Sequence, residues 1–346
     1  MDKPTPALTR PISYPEIEQI ATLLADARRV VIMQADNPDA DSLGSALALE
    51  QILGDMGKEP YLYCGVHIPD YLHYLPGWDR VSNELPIAFD LTIIVDTSAD
   101  SLFGTLNATT ERLLVGKKPC IVIDHHAVEP DIPYASVICN PTAVATGEVL
   151  YELAAQLDWP LNLAAQRNLL AAIMADSLGL TSEGTSARSI HIVGELVEGG
   201  VSIAALEHNR RELMRKSADL TAYKGELLQR IEYFAGGRIS VVHIPWPEIE
   251  RYSHAYNPPM LVMDDMRFTT GVDVAIAFKT YNDGKVTGKI RCNYGSAIAG
   301  DMAKHFGGGG HPYASGFKIT DGRPYADIKK ECIEVAGRLL DELAEK

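Results

Sequence analysis

The sequence predicts an α/β architecture: a parallel-sheet domain with helices on both faces, followed by a helical linker and a smaller α/β domain. Three observations predict it. Continuous apolar segments at Arg29–Gln34, Leu91–Val95 and Cys120–Ile123 alternate with helical patterns, which marks strands buried on both faces of a parallel sheet. Acidic residues follow each of these strands, and ligands of open α/β sheets collect at the carboxyl ends of strands. A chain of 346 residues also exceeds one common domain of about 150, so its length favours two, each burying its own core.

The elements follow in order. A helix is expected over 14–27, and Arg29-Val30-Val31-Ile32-Met33-Gln34 then forms a buried strand. The polar loop 35–41 precedes a helix starting near Ser42, read from the spacing of Leu43, Ala46, Leu47, Leu49 and Ile52. Strand, loop and helix recur after Leu91–Val95, which ends at Asp96, and Cys120–Ile123, which ends at Asp124-His125-His126. From Thr146 to Leu178 the pattern is helical with a break at Trp159-Pro160, and another helix covers 186–197 before Gly199-Gly200 stops it. Residues 203–234, rich in Leu, Glu, Arg and Lys without proline, suit connecting helices, and the domain boundary falls within or just after them. The second unit opens with a strand over 238–244 and a helix near Trp246–Tyr252. Strands over 272–279 and 285–292 flank the hairpin signal Asn282-Asp283-Gly284. A helix over 297–305, a glycine run, a strand over 316–319 and an amphipathic helix over Tyr325–Ala344 complete it.

Composition narrows the function. Against 46 Asp and Glu stand 31 Lys and Arg, a net charge of −15. Such a chain repels long polyphosphate backbones, which argues against a protein that coats duplex nucleic acid; small anionic substrates held by a few cations or metals remain. The five cysteines, Cys64, Cys120, Cys139, Cys292 and Cys332, show no CxxC spacing and read as reduced thiols of a cytoplasmic protein. The proline-rich N-terminus lacks the apolar core of a signal peptide, and no run approaches the roughly 18 apolar residues of a membrane span.

Several positions carry chemistry. Asp39-x-Asp41, followed by Gly44-Ser45, offers two carboxylates to a cation, with the glycine letting the backbone turn beside them. Taken alone, the pair reads as an N-cap cluster with Asp41 capping the helix. Asp96 ends a strand, as a cap or turn residue does, but two consecutive imidazoles in Asp124-His125-His126 gain little from packing and suit metal or phosphate. Asp176 closes an apolar helix, where a buried carboxylate needs a partner. Asp39, Asp41, Asp96, His125 and Asp176 together form an oxygen-rich set that suits Mn²⁺ or Mg²⁺ better than structural zinc. Late in the chain, Gly307-Gly308-Gly309-Gly310-His311 reads as backbone approaching an anion through its N–H groups, and Arg291 adds a planar cation.

Taken together, Asp39-Ala40-Asp41-x-x-Gly44-Ser45, Val95-Asp96-Thr97-Ser98, Asp124-His125-His126, Ala145-Thr146-x-Glu148 and Asp176, followed by Arg291 and the GGGGH segment, resemble the DHH/DHHA1 phosphoesterases. The length and layout are similar to the NrnA-like branch of nanoRNases and pAp phosphatases. This resemblance implies a DHH metal-binding catalytic domain over 1–198, a helical linker over 199–235 and a DHHA1 substrate-binding domain over 236–346. It implies a pair of Mn²⁺ ions, or Mg²⁺ or another divalent metal, bridged by Asp96. Asp39 would serve one ion, and Asp41, His125 and Asp176 the other. His126 would contact the scissile phosphate or a metal ligand, while Arg291, Gly308, Gly309, Gly310 and His311 would hold the substrate's terminal phosphate or nucleotide. The implied reaction is two-metal hydrolysis of short oligoribonucleotides to nucleoside monophosphates, with 3′-phosphoadenosine 5′-phosphate as a further substrate. A cyclic or linear dinucleotide phosphodiesterase (c-di-AMP or pApA type) is the alternative. A homodimer is implied as well. One position departs from the pattern: Ala35 stands where the family usually places a metal-binding histidine, four residues before Asp39. That departure motivates a reading of another class, a non-catalytic nucleotide-binding regulatory module.

Overall fold

The computed structural model describes residues 14–345. The stretch read as lacking a signal peptide lies, up to residue 13, outside the described residues. The chain divides into two compact units, the first ending at Arg215 and the second beginning at Lys216.

In the first unit, helix α1 (Ile17–Asp26) leads into β1 (Arg29–Gln34), α2 (Ala40–Asp55), β2 (Glu59–Cys64) and β3 (Leu91–Val95). The short helices α3 (Gly104–Asn107) and α4 (Arg112–Val115) precede β4 (Cys120–Ile123) and β5 (Val137–Cys139). Four helices follow: α5 (Thr146–Gln156), α6 (Leu163–Asp176), α7 (Ala187–Glu198) and α8 (Ile203–Leu213). All four strand pairings are parallel, in the order β2-β1-β3-β4-β5. Every residue of β3 and β4 is buried, because both faces are covered. Val30, Ile32, Leu91, Ile93, Ile121 and Ile123 pack with residues of α1, α2, α5, α6 and α7. On the other face Val31, Met33, Ile94 and Val122 pack with Phe103, Leu106 and Val115 from the short helices and their flanks. The sequence reading had neither β2 nor β5.

Helix α2 begins two residues earlier than its apolar spacing predicts, at Ala40. Asp39, not Asp41, is its N-cap: its carboxylate accepts from Ser42 N–H at 2.9 Å, and the Ser42 hydroxyl accepts from Asp39 N–H. Gly44 is likewise not a turn residue. It lies inside α2 where the helix crosses α6, and a Cβ there would stand 2.8 Å from the Asn168 carbonyl oxygen and 3.2 Å from the Ala172 Cβ. Gly147 on α5 makes a similar approach, its added Cβ falling 2.6 Å from Ala172 Cβ. Small residues therefore let α2, α5 and α6 close together, and these are the helices that carry Asp41, Thr146 and Asp176.

The second unit comprises α9 (Ala218–Gln229), β6 (Glu232–Phe234), β7 (Ile239–Ile244), α10 (Trp246–Tyr252), α11 (Met263–Arg267), β8 (Val274–Thr280) and β9 (Val286–Cys292). It closes with α12 (Ala299–His305), β10 (Gly309–His311), β11 (Ala314–Ile319) and α13 (Tyr325–Ala344). The sheet order is β10-β11-β9-β8-β7-β6, with only β7 and β8 parallel. One face packs on α12 and α13 through Ile276, Phe278, Ile290, Met302, Ile328 and Leu340. Opposite, Val242, Ile244, Ala275 and Ala277 pack with α9, α10 and α11. Helix α8 belongs to the first unit and α9 to the second, so the stretch 199–235 is shared between them, and its end is not helical as expected: Glu232–Phe234 form β6, paired with β7. Among the described residues, no single helix is long and apolar enough to cross a membrane, and all five cysteines are free and buried.

Candidate metal centre

The strand order places a switch point between β1 and β3, where the chain leaves neighbouring strands in opposite lateral directions and a crevice opens at their carboxyl ends. Asp39 and Asp41 follow β1, Asp96 follows β3, and Asp124, His125 and His126 follow β4. Asp176, the last residue of α6, reaches the same place. A carboxylate there sits at the negative end of its helix, which is unfavourable for stability and needs another purpose.

His125 is the hub. Its Nε2 lies 3.3 Å from Asp176 Oδ2, 3.4 Å from Asp96 Oδ1 and 3.6 Å from Asp41 Oδ2. Its Nδ1 is 3.2 Å from the Ala143 carbonyl oxygen, which keeps a proton on Nδ1, so that the neutral imidazole presents its lone pair on Nε2. That Nε2 is buried with no hydrogen-bond partner. An imidazole nitrogen aimed among three carboxylates without a hydrogen bond to any of them is an arrangement that a divalent cation completes. Two donor groups share it: Asp41, His125 and Asp176, and Asp96, His125 and His126, each with its donor atoms within 4.8 Å of one another. Oxygen donors with imidazole and no thiolate fit a hard or borderline divalent ion. Asp39 lies outside both groups, its carboxylate engaged as the cap of α2, yet close enough to add repulsion to Asp41 and Asp96.

The electrostatics are those of crowded acids. Burial, then the Asp176 carboxylate, lifts Asp41 to about 6. Asp96 is raised well above the usual carboxylate range by burial and then by Asp41. Burial alone would depress His125; the carboxylates of Asp176, Asp96 and Asp41 outweigh it and lift the imidazole to about 11. A bound cation would relieve this repulsion and displace the protons. Asp124 works differently: burial would raise it, but the His126 hydrogen bond and others outweigh that and hold it low. Its Oδ1 accepts from His126 Nδ1 at 2.8 Å and from the His125 and His126 N–H groups at 2.8 and 3.2 Å. Asp124 is thus a buried cradle that orients the histidine pair.

Sequence reasoning missed the part played by Thr146. Its N–H donates to Asp41 Oδ2 at 2.7 Å, the next N–H, of Gly147, donates to Asp41 Oδ1 at 3.0 Å, and its hydroxyl donates to Asp96 Oδ1 at 3.0 Å. The first free N–H groups of α5 are therefore capped by a carboxylate from α2, 105 residues earlier in the chain. Asp96 itself holds a left-handed φ of 64°, a conformation that costs an L-residue about 1 kcal/mol and turns its carboxylate into the cluster. Glu148, in the same motif as Thr146, points elsewhere and accepts from the Ser189 hydroxyl at 2.7 Å.

Around Ala35 the neighbours divide. Asp36 turns away and accepts from Thr105 N–H at 2.6 Å. Gln34 is fully buried with neither amide atom hydrogen-bonded.

In the second unit, β9, β11 and β10 set Arg291, Ala314 and His311 in one cross-strand row. Arg291 is half-buried and donates to its neighbour's carbonyl, Ile290 O, at 2.9 Å; burial and Arg267 lower its pKa. The glycine run differs from its reading in part. Gly307 and Gly308 N–H groups bond the Lys304 and Ala303 carbonyls at the end of α12, which removes them from any anion-facing set. Gly308 and Gly310 are required by packing, since a Cβ on either would meet β11 backbone at 2.2 and 2.7 Å.

Comparison with known proteins agrees with this geometry. The DHH family, N-terminal domain, matches residues 29–178, and the DHHA1 domain matches 260–345. The bifunctional oligoribonuclease and PAP phosphatase NrnA of Bacillus subtilis is 24% identical over 315 residues, 88% of this chain and 95% of its own length. The cyclic-di-AMP phosphodiesterase GdpP of Geobacillus thermodenitrificans is 24% identical over 93% of this chain but only 48% of its own. An exopolyphosphatase-related protein from Bacteroides fragilis shares the fold with a TM-score of 0.80, at 18% identity over 94% of this chain and 97% of its own. With both domains matched in order and a cluster of this chemistry within the first, the chain belongs to the DHH/DHHA1 phosphoesterase family.

Proposed function

We propose that this phosphoesterase is a manganese-dependent phosphodiesterase that hydrolyses short oligoribonucleotides to nucleoside monophosphates and also dephosphorylates 3′-phosphoadenosine 5′-phosphate. The observation that carries the reading is the convergence of the Asp41, Asp96 and Asp176 carboxylates on His125 Nε2, at 3.3–3.6 Å and without hydrogen-bond geometry to any of them. The similarity to NrnA along nearly the whole of both chains supports the substrate class. Five buried free thiols support a reducing, cytoplasmic setting.

A pair of divalent cations held here would neutralise charge growing on the phosphoryl oxygens and lower the pKa of the attacking water. The chain's own contribution is orientation. Asp96, in its left-handed conformation, is held by the Thr146 hydroxyl, and Asp41 by two N–H groups of α5 and the Ser45 hydroxyl at 3.1 Å. His125 is kept in one tautomer by Ala143 O. His126 is fastened through Nδ1 to Asp124, which raises its pKa and presents the opposite ring edge, half-exposed, for a phosphate oxygen. Arg291 and His311 supply the group for a terminal phosphate.

Incubating chelator-stripped protein with labelled RNA dinucleotide, an RNA pentamer and a cyclic dinucleotide, with and without Mn²⁺, tests the proposal. Manganese-dependent monophosphate release from the linear RNAs is expected. Faster turnover of the cyclic substrate would favour the second reading, that of a dinucleotide phosphodiesterase like GdpP. Binding without turnover would favour the non-catalytic module and make Ala35 its cause.

A further inference from the structure

Gln34 closes β1 and stands in a row of the first sheet whose other members are apolar. It pairs with Cys64 on β2, and the β1–β3 register, Met33 with Ile94, sets it one step on beside Val95. Val95 pairs with Ile123 on β4, and Ile123 with Cys139 on β5. Cys64, Val95, Ile123 and Cys139 all face the core that α2, α5 and α6 cover, as do Val30 and Ile32 earlier on β1, so the alternation of the strand turns Gln34 to that face too. The row is also the last before the acids, for Asp96 follows Val95, and Asp124 and His125 follow Ile123. Gln34 thus lies beneath the metal centre, and a strand spacing of about 4.8 Å with a rise of about 3.3 Å puts the Asp96 Cα about 6 Å from its own.

An amide is costly at this place. Gln34 is fully buried, and neither Oε1 nor Nε2 has a hydrogen-bond partner. Methionine or leucine would fill the space without leaving two polar atoms unpaired. The row offers no relief, since the Cys64 thiol donates to the Ala35 carbonyl oxygen. A partner for the amide has to come from the crevice above it, and the crevice lacks donors on this side. Ala35 carries no ligating atom, Asp36 accepts from Thr105 N–H, and Asp39 caps α2. Among the described residues, the ends of β3 and β4 supply Asp96, His125 and His126 to the donor groups, and the end of β1 supplies nothing before Asp41. Another carboxylate here would add to the repulsion that already raises Asp41 and Asp96. An amide oxygen adds a hard donor without charge.

We propose that Gln34 Oε1 is a ligand of one of the divalent cations, the ion on the β1 side of the cluster, so that β1 holds its ion through residue 34 and not through residue 35. The proposal rests on the two-cation reading above. It accounts for the buried amide and for the missing donor at once: the oxygen that has no partner in the row gains one in the ion, and the ion gains a neutral ligand from the strand that otherwise gives it none. Stability and metal affinity then pull in opposite directions at this residue, because the amide that binds the ion is an unpaired burden to the metal-free fold.

The test compares full-length, chelator-stripped wild type with Gln34→Met, which keeps the length and volume of the side chain and removes the amide. Equilibrium dialysis reads Mn²⁺ affinity and stoichiometry, urea unfolding reads metal-free stability, and RNA turnover is measured on the same samples. Wild type is expected to bind a pair of ions. Gln34→Met should bind one of them at least about tenfold more weakly while its metal-free urea midpoint rises. Gln34→Glu, which restores an oxygen at the same reach, should keep both ions and lower the metal-free midpoint. Gln34→Asn draws the oxygen back by one methylene group; it should lose affinity as Gln34→Met does, and it carries the test if Gln34→Met does not fold. Wild-type affinity for both ions in either variant overturns the ligand, and so does a loss of affinity with a lower metal-free midpoint in Gln34→Met, since a loosened fold weakens any ligand. A pair of ions bound by wild type without RNA turnover would overturn the proposed function alone, and a wild type that binds no Mn²⁺ would overturn both.

Discussion

The helix seam beneath the metal centre gives a quantitative prediction. In Gly147→Ala, the new methyl carbon falls 2.6 Å from Ala172 Cβ and 3.2 Å from Leu169 O, whereas carbon atoms pack at about 3.5–4.0 Å. Helices α5 and α6 must part by close to 1 Å, an overpacking that costs about 2–3 kcal/mol, less up to about 1 kcal/mol for replacing a helical glycine. The net loss expected is about 1.5 kcal/mol. Ala172→Gly should lose about 2 kcal/mol through helix propensity and one buried methyl group. In the double variant the methyl group moves from α6 to α5 and the clash is gone, so it should be more stable than additivity predicts by about 2 kcal/mol. Urea unfolding of metal-free protein, followed by tryptophan fluorescence for the first unit with Trp78 and Trp159, measures the cycle. Mn²⁺ affinity should follow the same pattern, because Gly147 N–H holds Asp41. Single variants that add to within about 0.5 kcal/mol would refute the packing argument.

Further predictions concern the groups around the centre. Arg188→Ala leaves the Glu152 carboxylate, 1% exposed, without the cation whose Nε stands at 2.6 Å; the loss should be about 3 kcal/mol, and a thermal or urea transition shifted by under 1 kcal/mol would contradict it. Thr146→Val removes the hydroxyl on Asp96 and should weaken Mn²⁺ binding at least tenfold with the fold intact, as read by calorimetry. In metal-free protein, Asp41, raised to about 6, keeps its proton longer folded than unfolded; its contribution to stability is full below pH about 4 and is lost as pH rises through about 6. Asp41→Asn should therefore flatten the fall in urea midpoint between pH 4 and pH 7, and an unchanged slope would exclude this cause. Ala35→His should tighten Mn²⁺ binding if the end of β1 faces the metals, and equal affinity in a titration would show that it does not.

What the sequence made legible follows from burial. β1, β3 and β4 occupy the middle of their sheet, covered on both faces, so they read as unbroken apolar runs. β2 and β5 are its edges, and β6 and β10 the edges of the second sheet. Edge strands need not be apolar throughout: β2 opens with Glu59-Pro60, and β10 lies inside the glycine run. The acids after the strands were legible because a carboxylate at such a place has a short list of uses. Their supports were not. Local rules made Asp41 a cap of its own helix, whereas it caps α5 across the fold, and Asp39 took the local role. Thr146 looks like any residue opening a helix until β3 and α2 bring two carboxylates to it. Gly44 shows the same limit: a glycine beside acids suggested a turn, and only the crossing of α2 and α6 shows a packing surface.

The central claim, that Asp41, Asp96, His125 and Asp176 hold catalytic divalent metal, is tested most directly by counting manganese. Equilibrium dialysis of chelator-stripped wild type and Asp96→Asn against Mn²⁺, with RNA turnover measured on the same samples, links occupancy to activity. The account predicts that wild type binds a pair of ions per chain with activity rising as the second binds, and that Asp96→Asn, still folded, loses at least one ion and nearly all turnover. Full turnover in excess chelator, or an Asp96→Asn variant that binds and cleaves like wild type, would contradict it.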